Sequence, residues 1–122
     1  MPSVRRYSWR RLEFRLAPLP GPDAAQYGAF HTAEVPYVLN TLCMSDRPFT
    51  EADTGIANMA SSYWVSFATR GDPNGKGLPH WPSAREMPRG VMRLGAVPEP
   101  IPAAGSDAQF ELWRARAAAV GR

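Results

Sequence analysis

The chain has 122 residues, which is enough for one small domain and too few for several. Apolar residues make up 44% of it, and no apolar run approaches the roughly 18 residues of a membrane-spanning helix. A single cysteine, Cys43, excludes an internal disulfide, and we expect it to be a small buried hydrophobic side chain. Because no apolar segment follows the N-terminal arginines, no signal peptide is visible, and a cytoplasmic location is the default expectation.

The positive charge is concentrated at the N-terminus. Residues 1–15 hold five arginines and one glutamate, whereas the rest of the chain holds nine basic and ten acidic residues. Residues 5–11, Arg-Arg-Tyr-Ser-Trp-Arg-Arg, mix cations with aromatic rings, as do segments that contact phosphates and stack on bases. Nucleic-acid binding is therefore one hypothesis, although the stretch is short and isolated. A solvated tail or an edge strand with arginines facing water are the alternatives.

In the segment 27–42, a histidine comes shortly after two small residues, Gly28 and Ala29. Gly28 lets the backbone bend, and Phe30 can attach the resulting turn to a core, which would hold His31 at the rim of that core. Imidazole has the unperturbed pKa nearest neutrality, so a held histidine is a candidate proton carrier. A packed histidine with a structural role is the alternative.

The residues from Glu34 to Leu42 predict a short, mostly apolar helix. Pro36 fits its first turn, where a missing N–H costs little. Glu34 lies three residues after His31, a spacing that could suggest metal ligation on a helix. No second histidine is near, since His80 falls in a loop, so we expect no metal and no other cofactor. Glu34 is instead predicted to cap or anchor the turn.

The longest regular element is a helix that begins after Thr50. Asp53 follows that residue at the spacing of a capping box, and Gly71 is predicted to end the helix. Apolar residues recur at helical spacing along one face, which predicts that this face is core. The face comprises Ile56, Met59, Ala60, Tyr63 and Phe67, widened by Trp64.

The rest of the chain is divided by prolines. Residues 81–82, Trp-Pro, are predicted to close a loop and pack on the long helix, and residues 91–94 are a short strand candidate. Pro98, Pro100 and Pro102 are expected to stop that strand from extending.

A last helix is predicted from about Asp107 to Ala119, where Ser106 and Gln109 have capping-box spacing. One face of it is apolar, and that face is larger than the remaining core needs, so it is expected to dock on something outside the chain. The face comprises Phe110, Trp113, Ala117 and Val120.

Three motifs carry a family resemblance. They are Gly-Ala-Phe-His-Thr-Ala-Glu-Val-Pro-Tyr-Val-Leu at 28–39, Tyr-Trp-Val-Ser-Phe-Ala-Thr-Arg-Gly-Asp-Pro-Asn at 63–74, and Leu-Pro-His-Trp-Pro at 78–82. In this order they resemble the catalytic-histidine segment, the helix-to-turn segment and the Trp-Pro loop of type-B carboxylesterases, in the α/β-hydrolase superfamily. The resemblance covers about Pro22 to Trp81, continues more faintly through 91–94, and fades before Pro20 and in the last helix.

The resemblance implies an α/β fold: the incomplete C-terminal part of an α/β-hydrolase fold, mainly helices and loops with one or two short strands. It also implies hydrolysis of a carboxylic ester by a Ser–His–acid triad, with His31 as the catalytic histidine. In this superfamily the nucleophile stands on a Gly-x-Ser-x-Gly turn, and that motif is absent from this sequence. The chain alone is therefore expected to be an inactive, truncated fragment.

Two regions are expected, an Arg-rich stretch of uncertain structure over 1–17 and a carboxylesterase-like region over 18–122. The family has an apolar, aromatic core strand before its histidine segment, and paired arginines do not suit a strand buried on both faces. One hypothesis is therefore that residues 1–17 are a replacement sequence created by a frameshift or an alternative start.

The functional hypotheses thus come from different classes. The first is ester hydrolysis, with a small-molecule ester as substrate once a nucleophile-bearing part completes the fold. The second is a non-catalytic protein-interaction module that uses its apolar faces, and self-association through those faces is a related expectation. The third is nucleic-acid binding through the N-terminus. No membrane partner is expected.

Overall fold

The computed structural model describes residues 30–120 together with the backbone of Leu12–Phe14. The predicted boundary between residues 17 and 18, and most of the Arg-rich stretch, lie outside these described residues. The elements are β1 (Leu12–Phe14), α1 (Val35–Val38), a 3₁₀ helix (Leu42–Met44), α2 (Glu51–Arg70), β2 (Gly90–Leu94), β3 (Glu99–Pro102) and α3 (Asp107–Val120). No helix in the described ranges is long and apolar enough to cross a membrane.

The strands form one sheet in the order β1-β2-β3. β1 runs parallel to β2, with Leu12 opposite Met92, and β2 runs antiparallel to β3, with Met92 opposite Pro100. The strand predicted at 91–94 is confirmed, but β3 was not predicted. Pro100 and Pro102 are tolerated there because β3 is an edge strand of the described sheet, where a missing N–H need not remove a ladder hydrogen bond.

The helix α2 begins and ends as its sequence predicts. Thr50 Oγ1 accepts a hydrogen bond from the Asp53 N–H at 3.3 Å, and Asp53 Oδ2 accepts one from the Thr50 N–H at 2.8 Å, which completes a capping box. At the other end Gly71 adopts φ 75° and donates its N–H to the Phe67 carbonyl at 2.7 Å. Only glycine adopts this left-handed conformation without strain from a Cβ atom.

The core lies between α1, α2, the Trp-Pro loop and β2. Its buried residues are Tyr37, Leu42, Ile56, Ala57, Ala60, Tyr63, Trp81, Met92 and Leu94. The predicted face of α2 is thus confirmed at Ile56, Ala60 and Tyr63. Phe67 is 46% exposed and Trp64 38% exposed, so the C-terminal part of the predicted face lies outside this core.

The Trp-Pro loop packs on α2, as predicted. The rings of Trp81 and Tyr63 meet edge to face, with centroids 5.2 Å apart and planes at 88°. Asn74 holds the backbone of Trp81 twice: its Oδ1 accepts the Trp81 N–H at 2.6 Å and its Nδ2 donates to the Trp81 carbonyl at 3.1 Å. The Tyr63 hydroxyl donates to the Pro79 carbonyl at 2.6 Å, and burial raises the pKa of this hydroxyl to about 12.

The helix α3 confirms its predicted bounds to within one residue. Ser106 Oγ accepts the Gln109 N–H at 3.2 Å, which is one half of the predicted capping box. None of the residues of this described helix is buried, and Trp113 is 65% exposed. Arg89 contacts the helix from the segment before β2: its guanidinium lies 2.9 Å from Asp107 Oδ1 and 4.5 Å from the centre of the Phe110 ring.

Two predictions about the segment before α2 are wrong. The predicted helix from Glu34 to Leu42 is only the single turn of α1, because Asn40 adopts φ 53° and breaks it. Cys43 was expected to be buried, but it is a free, exposed thiol. The 3₁₀ helix turns Leu42 into the core, so the next side chain points to solvent.

Candidate functional site

His31 lies in a turn that leads directly into α1. The Ala33 N–H donates to the Phe30 carbonyl at 3.0 Å, and the Val35 N–H donates to the Thr32 carbonyl at 3.1 Å. These bonds order the backbone on both sides of the histidine. The His31 side chain itself is exposed to solvent.

The residue after the histidine has a strained backbone. Thr32 adopts φ 74°, in the left-handed region that β-branched residues rarely enter. Such strain persists only where the surrounding structure imposes it, and it is common at functional sites. Glu34 occupies the N-cap position of α1, as predicted for a capping residue, but its side chain makes no cap hydrogen bond.

Phe30 does not attach the turn to the core in the way that the sequence suggested. Its ring is 41% exposed, and the Arg47 guanidinium lies over it, 5.5 Å from its centre. A cation over an aromatic face is attractive, so Arg47 contributes to fixing the start of the turn. The connection of the His31 turn to the core is made instead by α1, which follows the turn and carries the buried Tyr37.

The buried side chain of α1 is Tyr37, which is 5% exposed. Its ring packs edge to face on Phe49, with centroids 5.9 Å apart, and its hydroxyl donates to Asp53 Oδ1 at 2.7 Å. Burial and the bond to this carboxylate raise the pKa of Tyr37 well above its ordinary value. Desolvation works to raise the pKa of Asp53, but hydrogen bonds from Thr50 and Tyr37 outweigh it and hold that pKa below its usual range.

A second bond joins the same two helices nearer the surface. Asn40 Nδ2 donates to Asn58 Oδ1 at 3.1 Å, and both side chains are exposed. The turn, α1 and the first half of α2 therefore form one hydrogen-bonded unit, with the imidazole at its solvent-facing end.

The imidazole has no triad partner within residues 30–120. No described serine or carboxylate hydrogen-bonds it, and Ser62 Oγ is already engaged with the Asn58 carbonyl at 2.7 Å. No group of three or more His, Cys, Asp or Glu side chains that could hold a metal ion lies in this range either. The described site is thus an ordered, accessible imidazole that can accept or give a proton to a group brought to it.

The other histidine, His80, is in a different setting. Its Nε2 lies 3.2 Å from Glu86 Oε1, and both side chains are largely exposed. Glu86 Oε2 accepts the Ser83 N–H at 2.6 Å, and Ser83 Oγ accepts the Glu86 N–H at 3.3 Å. These bonds, with a smaller contribution from His80, lower the pKa of Glu86 to about 2. The arrangement is a reciprocal cap on one turn, whose Ser-x-x-Glu spacing is a signal that the sequence analysis missed.

A comparison with protein families identifies the family of this chain. The model of the carboxylesterase family matches residues 5–113 of the chain. The chain belongs to the carboxylesterase family. The match begins at residue 5, inside the Arg-rich stretch, and ends within α3, so the resemblance does not fade before Pro20 as the motifs suggested. The hypothesis of a replaced N-terminus thus loses one of its supports, the loss of resemblance before Pro20, and Leu12–Phe14 within that stretch pairs with β2.

Similar curated proteins are mammalian carboxylesterases. The chain is 42% identical over 48 residues to mouse carboxylesterase 1C, covering 39% of this chain and 8% of that protein. It is 40% identical over 55 residues to human cocaine esterase, covering 44% of this chain and 10% of that protein. The chain therefore spans about a tenth of the length of the curated relatives that it matches.

Solved structures give the same fold. A PNB esterase aligns over 83% of this chain and 21% of its own, with a TM-score of 0.66 and 24% identity. A carboxylesterase of Geobacillus stearothermophilus aligns over 59% of this chain and 17% of its own, with a TM-score of 0.51 and 31% identity. The fold is therefore part of an α/β-hydrolase fold, as predicted, with three strands in the described sheet where one or two were expected.

Proposed function

We propose that this chain supplies the proton-transfer histidine of a carboxylic-ester hydrolase. His31 would act as general base and then as general acid in a Ser–His–acid triad whose other members come from outside the chain. The observation that carries the proposal is family membership over residues 5–113, combined with an ordered turn that presents His31 to solvent.

The chemistry needs two partners for the imidazole. One ring nitrogen takes the serine proton as the hydroxyl attacks the ester carbonyl, and later gives it to the leaving alcohol. A carboxylate bonded to the other nitrogen holds the correct tautomer and stabilises the imidazolium. An exposed ring on a fixed backbone can be reached by both partners, which a buried histidine could not.

Without these partners the chain is expected to be inactive. We expect hydrolysis of p-nitrophenyl acetate by the chain to be no faster than by free imidazole at equal concentration. A general base contributes about 10²–10⁴-fold only when a nucleophile is positioned beside it. Stoichiometric labelling of one serine of the isolated chain by a fluorophosphonate would contradict this part of the proposal.

Complementation tests the catalytic role directly. The chain is co-expressed with a PNB esterase from which the matching region has been deleted, so that the serine and the acid come from the partner polypeptide. We expect association and partial recovery of p-nitrophenyl acetate hydrolysis. His31→Ala should abolish the recovered activity without weakening association, because the side chain is exposed and supports no core contact.

His80→Ala is the matched control. It also removes an exposed imidazole, but His80 bonds to Glu86 in the Trp-Pro loop and lies outside the histidine motif. The recovered activity should remain nearly intact. Association without activity in the parent chain, or equal losses in both variants, would show that His31 is not the proton-transfer group.

A second candidate function is a non-catalytic interaction module. It is favoured by α3, which exposes 65% of Trp113 and 67% of Leu112 although the helix is well formed. Stable association with the esterase partner that never yields activity would support this candidate over the first.

A further inference from the structure

One carboxylate joins the start of α2 to the helix that follows the histidine. Asp53 Oδ1 accepts the Tyr37 hydroxyl at 2.7 Å, while Asp53 Oδ2 accepts the Thr50 N–H at 2.8 Å and the Thr50 hydroxyl at 2.7 Å. Hydrogen bonds to an ionised acceptor are about twice as strong as neutral ones. One carboxylate oxygen of Asp53 therefore caps the start of α2 at Thr50, and the other oxygen holds α1 through Tyr37.

Tyr37 transmits this attachment to the turn. The Tyr37 N–H bonds to the Glu34 carbonyl at 3.0 Å, and the turn continues through the Val35–Thr32 bond at 3.1 Å. Thr32, at φ 74°, would relax to a common conformation if nothing held the turn. The Tyr37 hydroxyl is the buried attachment of this segment to α2, whereas the Asn40–Asn58 bond and the contact of Arg47 with Phe30 lie at the surface.

We propose that Tyr37 and Asp53 are positioning residues for His31: the Tyr37–Asp53 hydrogen bond fixes the strained turn and thereby the place and direction of the imidazole. The inference rests on the proposed catalytic role of His31 for its functional meaning. The positioning itself is a property of the chain and is testable without any catalysis.

The test uses the full chain and the variant Tyr37→Phe, which keeps the ring against Phe49 and removes only the hydroxyl. Tyr63→Phe is the matched control, since Tyr63 is also a buried tyrosine, lies on α2 and donates its hydroxyl at 2.6 Å to the Pro79 carbonyl instead. Amide hydrogen exchange is measured by NMR at Ala33 and Val35, and at Ala60 in the centre of α2 as the reference.

We expect Tyr37→Phe to accelerate exchange at Ala33 and Val35 by about ten-fold or more relative to Ala60, as the loss of a hydrogen bond to a charged group implies. Tyr63→Phe should leave that ratio unchanged. The ring signals of His31 should shift in Tyr37→Phe and not in Tyr63→Phe. Unchanged exchange in the turn, or an equal acceleration in both variants, would overturn the inference.

Asp53→Asn provides an independent second variant. It keeps the side-chain volume and removes the charge, so it should accelerate the same two amides. The double variant with Tyr37→Phe should be no faster at the turn than Asp53→Asn alone, because Asp53→Asn already weakens the Tyr37–Asp53 bond together with the two bonds from Thr50. Additive effects would mean that the two residues act separately and would count against the proposal.

Complementation then separates positioning from the proposed function. In the reconstituted esterase, Tyr37→Phe should lower kcat with little change in KM or in association. Tyr63→Phe should not lower kcat selectively in this way. If the parent chain restores no activity, the proposed function fails while the exchange ratios still decide the positioning. Recovered activity with an equal kcat in Tyr37→Phe would overturn the positioning alone.

Discussion

Removal of the Trp81 side chain should strongly destabilise the chain. Trp81 is 4% exposed, and its ring centroid lies 5.2 Å from that of Tyr63 and 6.0 Å from that of Trp64, both on α2. Truncation of a buried tryptophan to alanine costs about 3–5 kcal/mol, because packing is lost and a cavity remains. That is a large part of the roughly 5–15 kcal/mol by which natural domains are stable, so Trp81→Ala should leave the chain close to unfolding.

Trp113→Ala is the matched control. Trp113 is 65% exposed on α3, so its removal should change the free energy of unfolding by no more than about 0.5 kcal/mol. Trp81→Phe retains one ring against Tyr63 and should fall between the two alanine variants.

The assay is urea unfolding followed by far-ultraviolet circular dichroism, since the substitutions alter tryptophan fluorescence directly. The slope of the free energy against urea should be the same in the parent chain and in Trp113→Ala. A loss below about 1 kcal/mol in Trp81→Ala, or equal losses in both alanine variants, would refute the placement of the Trp-Pro loop in the core.

Two further predictions concern acid pH and two glycines, Gly55 inside α2 and Gly71 at its C-terminal cap. The pKa of Glu86 is lowered from 4.5 to about 2, so the contribution of this carboxylate to stability is fully present above about pH 4.5 and is lost as the pH falls towards 2. Glu86→Gln should therefore flatten the dependence of the urea midpoint on pH in that window. An unchanged slope would contradict the bonds between Glu86 and Ser83. Gly71→Ala should destabilise the chain by about 1 kcal/mol, because Gly71 has φ 75°. Gly55→Ala should stabilise the chain by about 0.5–1 kcal/mol, because Gly55 lies inside α2 with open space around it. Thermal melts that shift in the same direction for both variants would refute this contrast.

Features set by neighbouring residues in the sequence could be predicted. The Thr50–Asp53 box, the end of α2 at Gly71 and the bounds of α3 depend on backbone groups within one helical turn, so local spacing determines them. Features that depend on a distant partner could not. β3 is a strand because β2 lies beside it, and the Tyr37–Asp53 bond joins residues that are 16 positions apart.

The histidine was found by resemblance and not by its chemistry. Nothing in the residues around His31 distinguishes it from a packed histidine until the family motif is considered, and its catalytic role stays a proposal. What the structure adds is local: an exposed ring, a strained Thr32 and an attachment through Tyr37. The error about Phe30 arose because its burial depends on chain segments that lie far from it, which a local pattern does not report.

Large apolar side chains are exposed in two parts of the described residues. Val35, Leu39 and Met44 are exposed in the segment from α1 to the 3₁₀ helix, and Leu112 and Trp113 are exposed on α3. A surface of this kind usually marks an interface, and the chain matches only 8–11% of the length of its curated relatives. Trp113 should therefore matter only in a complex: Trp113→Ala should leave the stability of the chain unchanged and still weaken association with the complementing esterase. An unchanged association constant would contradict α3 as the docking surface and leave the exposed side chains from Val35 to Met44 as the candidate.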